Sequence, residues 1–200
     1  HGFFHHKAND MKKDFFETFC KRRSIGVACM LLLTMLPVYG KGGVEKDMGA
    51  YLFTFFNDPT HSLFMAVSYD GYTFTAVNEG QPVISGDSIA AQRGIRDPHI
   101  YRAPNGMFYI AMTDLHVFGK QRGLRDTQWE RDDKYGWGNN RGLVLMKSKD
   151  LIHWTHTEVF VNETFPENFG ELGCAWAPQT IWDPAVEKLM VYFTIRQHPG

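Results

Sequence analysis

Ser68-Tyr69-Asp70-Gly71-Tyr72-Thr73-Phe74 and Ser148-Lys149-Asp150-Leu151-Ile152-His153-Trp154 are one pattern written twice. Each closes an apolar run, each reads Ser-x-Asp, and each places an aromatic ring four residues after the acid. The copies lie 80 residues apart (148 against 68). A second pair keeps that offset: Pro98 in Arg96-Asp97-Pro98-His99-Ile100, and Pro178 in Trp176-Ala177-Pro178-Gln179-Thr180-Ile181 (178 against 98). After each proline come a strand pattern, a turn (Asn105-Gly106 or Glu187-Lys188) and an aromatic-rich strand. Two independent pairs on one offset signal a duplicated β-unit. Small repeated antiparallel sheets suggest a propeller.

Working outward, the apolar runs at 50–56, 63–68, 108–112, 142–146 and 189–194 have the length and composition of strands. No stretch beyond residue 48 shows a sustained helical period with caps. A parallel α/β fold would need helical crossovers, so the fold class is all-β. The 80-residue unit is long for one blade. Its excess is the polar stretch 115–141, which carries Trp129, Tyr135 and Trp137. It reads equally as the wall of a pocket or as a tolerated surface insertion.

Aromatic residues make up 14% of the chain, which suits β-sheet packing and also suits sugar binding. The formal net charge is −1 and no basic run lies outside the N-terminal region, so nucleic acid is not an expected partner. Residues 1–10 contain no Met and read as upstream read-through, with the start at Met11. Lys12, Lys13, Lys21, Arg22 and Arg23 then precede an apolar run at 25–36 that is too short to cross a bilayer. With Val38-Tyr39-Gly40 as a cleavage site, 11–40 reads as a signal peptide. The expected mature protein begins near Lys41, with 41–48 as a linker. It is exported to the periplasm or beyond and is not held in the membrane after cleavage. Cys20 and Cys29 fall in the leader, which leaves Cys174 with no internal disulfide partner.

The repeat singles out one carboxylate. In register, Asp97 corresponds to Ala177, so the unit needs no acid there in order to fold. Pro98 offers no N–H to the first strand, and at the inner edge of a blade Asp97 would point toward a central channel. A carboxylate beside Arg96 stays ionised near neutral pH, as a general base requires. On spacing alone, that reading and a structural Asp–Arg pair stand level.

Three motifs in order resemble family 43 glycoside hydrolases. They are Gly94-Ile95-Arg96-Asp97-Pro98-His99-Ile100, Ser148-Lys149-Asp150-Leu151-Ile152-His153-Trp154, and Trp176-Ala177-Pro178-Gln179. The resemblance covers roughly residues 50–200. It implies a five-bladed β-propeller, incomplete in this chain: a closing partial sheet at 50–80, blade one at 95–155, and the start of blade two from 176. It implies that Asp97 is the general base and that Trp176 lines the sugar pocket, although a core position for that ring stays open. Arg96, Gln179 and Asp114 are further candidates for substrate contact. The implied mechanism is inverting, with base and acid about 6.5–9.5 Å apart to admit water. The family's pKa-modulating Asp and general-acid Glu stand in its third and fourth blades. Both are expected beyond Gly200, so these 200 residues read as an N-terminal piece that is inactive alone.

The implied substrates are plant-type oligo- or polysaccharides such as α-L-arabinofuranosides and β-xylosides. Asp183, Glu187 and Glu171 read as surface acids, and His99 and His153 as structural. No His or Cys cluster has metal-ligand spacing, so no cofactor is expected. Some relatives hold Ca²⁺ in the channel, but nothing in this sequence specifies it. Two alternatives remain: a sugar-binding propeller without catalysis, and an invertase-like hydrolase. The latter's paired motifs are echoed by Asn57-Asp58-Pro59 and Arg96-Asp97-Pro98, only 39 residues apart (97 against 58). Asn57-Asp58-Pro59 is better read as a hairpin turn. Oligomeric state is not legible.

Overall fold

The computed structural model describes residues 49–125 and 140–197. The expected signal peptide at 11–40, the expected linker at 41–48, Cys20, Cys29, Trp129, Tyr135, Trp137 and Gly200 lie outside the described residues. The chain divides into two compact units, His1–Tyr51 with Ser68–Thr73, and Leu52–Val67 with Phe74–Gly200. In the described part of the first unit, Gly71 takes φ +77°, and a Cβ there would stand 3.3 Å from the Tyr51 ring.

The described strands form antiparallel sheets. β1 (Tyr51–Phe55), β2 (Phe64–Ser68) and β3 (Thr75–Ala76) make a three-stranded sheet in that order. β4 (Ile95–Arg102), β5 (Phe108–Asp114), β6 (Gly142–Ser148) and β7 (Thr155–Phe160) make a four-stranded meander. β8 (Leu172–Asp183) pairs with β9 (Lys188–Gln197). Two four-residue helical turns, Val161–Thr164 and Pro166–Phe169, join β7 to β8. The all-β reading holds. The four-stranded sheet extends to Phe160, and β8 begins at Leu172, ahead of Trp176. No helix among the described residues is long and apolar enough to cross a membrane.

Strand alternation sends the two faces of the meander into different cores. Ile110, Met112, Val144 and Met146 pack with Leu63, Met65, Ile89, Ala90 and Ile95. Leu143, on the opposite face, packs with Val161, Leu172 and Ala175. Full burial of such side chains stabilises by roughly 1.5–3 kcal/mol each, so the meander is held from both sides.

The sequence repeat is a backbone repeat. In each Ser-x-Asp turn the serine Oγ accepts N–H groups from the second and third residues after it: Asp70 and Gly71, then Asp150 and Leu151. Each aspartate Oδ1 accepts the next two free N–H groups, from Tyr72 and Thr73, then Ile152 and His153. These bonds, joined at Asp150 by the His153 ring, hold both carboxyls well below the usual carboxylate range. The bend needs a left-handed residue, Gly71 in one copy and Leu151 (φ 63°) in the other.

The proline motifs repeat as well. Register breaks between Arg96 and His99, and again between Trp176 and Gln179, so each strand bulges at its Xaa-Pro. Asp97 (φ 51°) and Ala177 (φ 47°) both sit left-handed at the bulge. That conformation costs a residue with a Cβ roughly 1–2 kcal/mol, and an aspartate tolerates it better than an alanine. Arg96 faces Thr113 across its ladder, and Trp176 faces Thr194. The return strand is therefore offset by 81 rather than 80, because the second hairpin is one residue longer.

Candidate active site

Asp97 lies half-buried on the bulge of β4. Bulges re-aim a side chain out of the ladder's alternation, which lets this carboxylate and the Arg96 guanidinium part company. Asp97 Oδ2 accepts a hydrogen bond from Thr113 Oγ1 at 2.9 Å. Thr113 Oγ1 in turn accepts the N–H of Ala177 at 2.9 Å. One hydroxyl thus joins the Asp97 bulge to the matching bulge of β8, and brings Asp97 together with Trp176-Ala177. The Pro98 carbonyl accepts from Thr54 Oγ1 at 3.2 Å, which fixes the far side of the bulge. His99 Nδ1 accepts the Thr180 N–H at 3.2 Å and lies 3.1 Å from Thr180 Oγ1. Burial lowers the pKa of His99, which suits a neutral ring accepting at Nδ1.

Arg96 does not pair with its chain neighbour. Its Nη1 donates to Asp58 Oδ1 at 2.8 Å, and its guanidinium lies 4.5 Å over the Phe56 ring. The Asp–Arg pair considered from adjacency is replaced by one that spans 38 residues. Asn57-Asp58-Pro59 does form a turn between β1 and β2, with Asn57 Oδ1 accepting the Thr60 N–H at 3.0 Å. That turn aims Asp58 at Arg96.

Beneath Arg96 lies His61, fully buried and left-handed (φ 48°). Its Nε2 accepts from Arg96 Nη1 at 3.2 Å and from the Val117 N–H at 3.4 Å. Its ring stacks on His116 at 4.0 Å and 15°. Burial, then the neighbouring His116 and Arg96, push His61 down to about 4. Burial, with Arg122 and Arg125, lowers His116 too. Two neutral imidazoles can stack this closely where two cations could not. Gly94 permits the stack, since a Cβ there would lie 2.6 Å from His116 Cβ and 2.7 Å from His61 Cβ.

Trp176 is half-buried beside the exposed Ala177. Gln179 is exposed, and its Oε1 accepts from the Tyr192 hydroxyl at 2.6 Å. Asp114 is not brought to the bulge. Alternation puts it on the sheet face opposite Thr113, buried, where Oδ1 accepts the Gln92 N–H at 2.8 Å. Burial raises its carboxyl to about 7, with Glu158 adding to the rise, against the Gln92 N–H and Arg125. Among the described residues no group of three or more His, Cys, Asp or Glu could hold a metal ion.

Sequence reading missed Thr113, His61 and His116, and took Asp58 only as part of a hairpin turn. Thr113 carried a signal: it stands 81 residues before Thr194 (194 against 113), one off the repeat's offset of 80.

The site is thus a half-buried carboxylate on a left-handed bulge, bridged through Thr113 to the Trp-Ala-Pro strand. Residues 46–199 match the family model described as "Probable glycosyl hydrolase domain", which is related to glycoside hydrolase family 43, and the chain belongs to that family. It is also similar to an alpha-L-arabinofuranosidase of Bifidobacterium longum, 29% identical over 133 residues. That match covers 64% of this chain and 11% of the relative, so the chain spans about a tenth of the relative's length.

Proposed function

We propose that this chain supplies the water-activating side of an inverting glycoside hydrolase, with Asp97 as general base. The β1–β3 sheet, the β4–β7 meander and the β8–β9 hairpin are successive parts of a five-bladed propeller. Further blades outside these 200 residues carry the general acid and complete the pocket. The protein is exported through the signal peptide at 11–40. Its substrate class is the α-L-arabinofuranosides, as the relative's name suggests, with β-xylosides as the nearest alternative.

The observation that carries this reading is the contrast between the two bulges. The left-handed strain recurs in both copies, at Asp97 and Ala177, whereas the acid stands in one copy alone. A carboxylate that the scaffold does not need, on a strained element next to an aromatic strand, fits a chemical role. Trp176 would stack on the sugar, with Arg96 and Gln179 at the hydroxyls. The test uses the full-length protein and aryl α-L-arabinofuranoside and β-xyloside substrates. Asp97→Asn should lower kcat by about 10²–10⁴-fold with an unchanged circular dichroism spectrum. NMR of the first-formed sugar should show the inverted anomer. Full activity in the Asn variant would leave Asp97 a merely structural acid.

A further inference from the structure

We propose that Thr113 is a positioning residue for the base, relaying a backbone N–H of the neighbouring hairpin onto one oxygen of Asp97. The inference rests on the reading of Asp97 as the general base and concerns a residue outside the Asp-Pro and Trp-Ala-Pro motifs.

The direction of the relay follows from donor and acceptor chemistry. An amide N–H can only donate, so at 2.9 Å the Ala177 N–H uses a lone pair of Thr113 Oγ1. The hydroxyl's single proton is then free to point elsewhere, and Asp97 Oδ2 accepts it at 2.9 Å. The order is Ala177 N–H to Thr113 Oγ1–H to Asp97 Oδ2. Bonds in such a chain polarise one another, and one that ends on a carboxylate is stronger than its neutral counterpart. Thr113 is fully buried and β-branched, and it sits mid-ladder between Arg96 on β4 and Leu143 on β6. Its χ1 is therefore confined, which fixes the position of Oγ1 between the two bulges.

For catalysis, Oδ2 is occupied and oriented, while Oδ1 accepts no hydrogen bond among the described residues and is the oxygen left for water. A carboxylate on a strained bulge could otherwise rotate about its Cβ–Cγ bond. The Thr113 bond removes that freedom, and a base must be held within hydrogen-bond reach of the water proton.

Thr194 holds the same register position opposite Trp176, where Ala177 stands in place of the acid. Thr113 also serves the scaffold, because its Oγ1 accepts the Ala177 N–H of the next hairpin. A test must separate the two roles, since only the donor role reaches the chemistry.

In the full-length protein, Thr113→Val keeps the shape and removes the hydroxyl. The expected result is a fall in kcat of about 10–100-fold with KM within about twofold, on the scale of losing one hydrogen bond to a charged group. Thr113→Ser, which keeps both bonds, should retain kcat within about threefold. The deciding measurement is a double-mutant cycle with Asp97→Asn. If Thr113 acts through the base, Thr113→Val lowers kcat in the parent and adds nothing in the Asp97→Asn background. An equal fall in both backgrounds, or unchanged kcat in Thr113→Val with Asp97→Asn crippled, overturns the relay and leaves the base reading standing. Full activity in Asp97→Asn overturns both. Should the valine variant fail to fold, Thr113→Ala carries the same cycle, with circular dichroism certifying the fold.

Discussion

Replacing Asp114 by asparagine should make the protein less sensitive to rising pH, and the size of the effect can be worked from the burial. The carboxyl is closed in by the sheet, and its pKa climbs from 3.8 to about 7. Over that interval, at roughly 1.4 kcal/mol per pH unit, the penalty for ionising it in place is on the order of 4 kcal/mol. The sign follows from proton binding. The folded protein holds this proton more tightly than the unfolded chain does. Stability is therefore fully present below about pH 4, falls as pH rises, and has lost the whole amount above about pH 7. Asp114→Asn keeps an Oδ1 for the Gln92 N–H and carries no charge to desolvate, although it gives up the attraction of Arg125. Measured by urea unfolding at pH 5 and pH 8, the variant should gain about 2–3 kcal/mol on the parent between the two conditions. The buried histidines titrate in both proteins and cancel in the difference. Identical pH dependence in parent and variant would refute the argument, and would mean that water or a rearranged Arg125 solvates the carboxylate in the folded state.

Two further outcomes follow from the histidine stack. His61 is pushed from 6.5 to about 4, so it contributes stability above pH 6.5 that is lost as pH falls toward 4, on the order of 3 kcal/mol. Read as the difference between parent and His61→Gln unfolding free energies from pH 6.5 to pH 4, in which the opposing Asp114 titration cancels, the variant should lack that loss. Gly94→Ala puts a methyl within 2.7 Å of both imidazole Cβ atoms, where no flexible side-chain end can yield. It should destabilise by about 1–3 kcal/mol or more in thermal unfolding, and an unchanged melting temperature would show that the stack is loose.

What the sequence disclosed was local or periodic. The Ser-x-Asp turns are closed by bonds within four residues, so Ser68 and Ser148 could be read directly. The kinship of the two proline motifs was legible because the offset of 80 aligned Asp97 with Ala177, but the bulge that each forms was not foreseen. The side-chain partnerships were not legible, because they depend on how sheets pack. Arg96 reaches Asp58 across 38 residues, and Thr113 reaches Ala177 across 64. Asp114, at the end of its strand, was a candidate for substrate contact and is instead buried. Its burial comes from Gly142 on the next strand, whose missing side chain leaves room for the carboxylate: a Cβ there would stand 2.9 Å from Asp114 Oδ2.

The matched left-handed bulges bear on how such a domain changes over generations. The bent strand is present whether or not chemistry happens on it, as Ala177 demonstrates. Asp and Ala codons differ by one nucleotide. With Asp97 as the base proposed above, the step between a hydrolysing lineage and one that merely grips sugar would be a single base change at that codon. In a scaffold of this kind, loss of turnover should be frequent and hard to see from overall likeness. On that proposal, the residue at the bulge is the position to compare first between this chain and a relative.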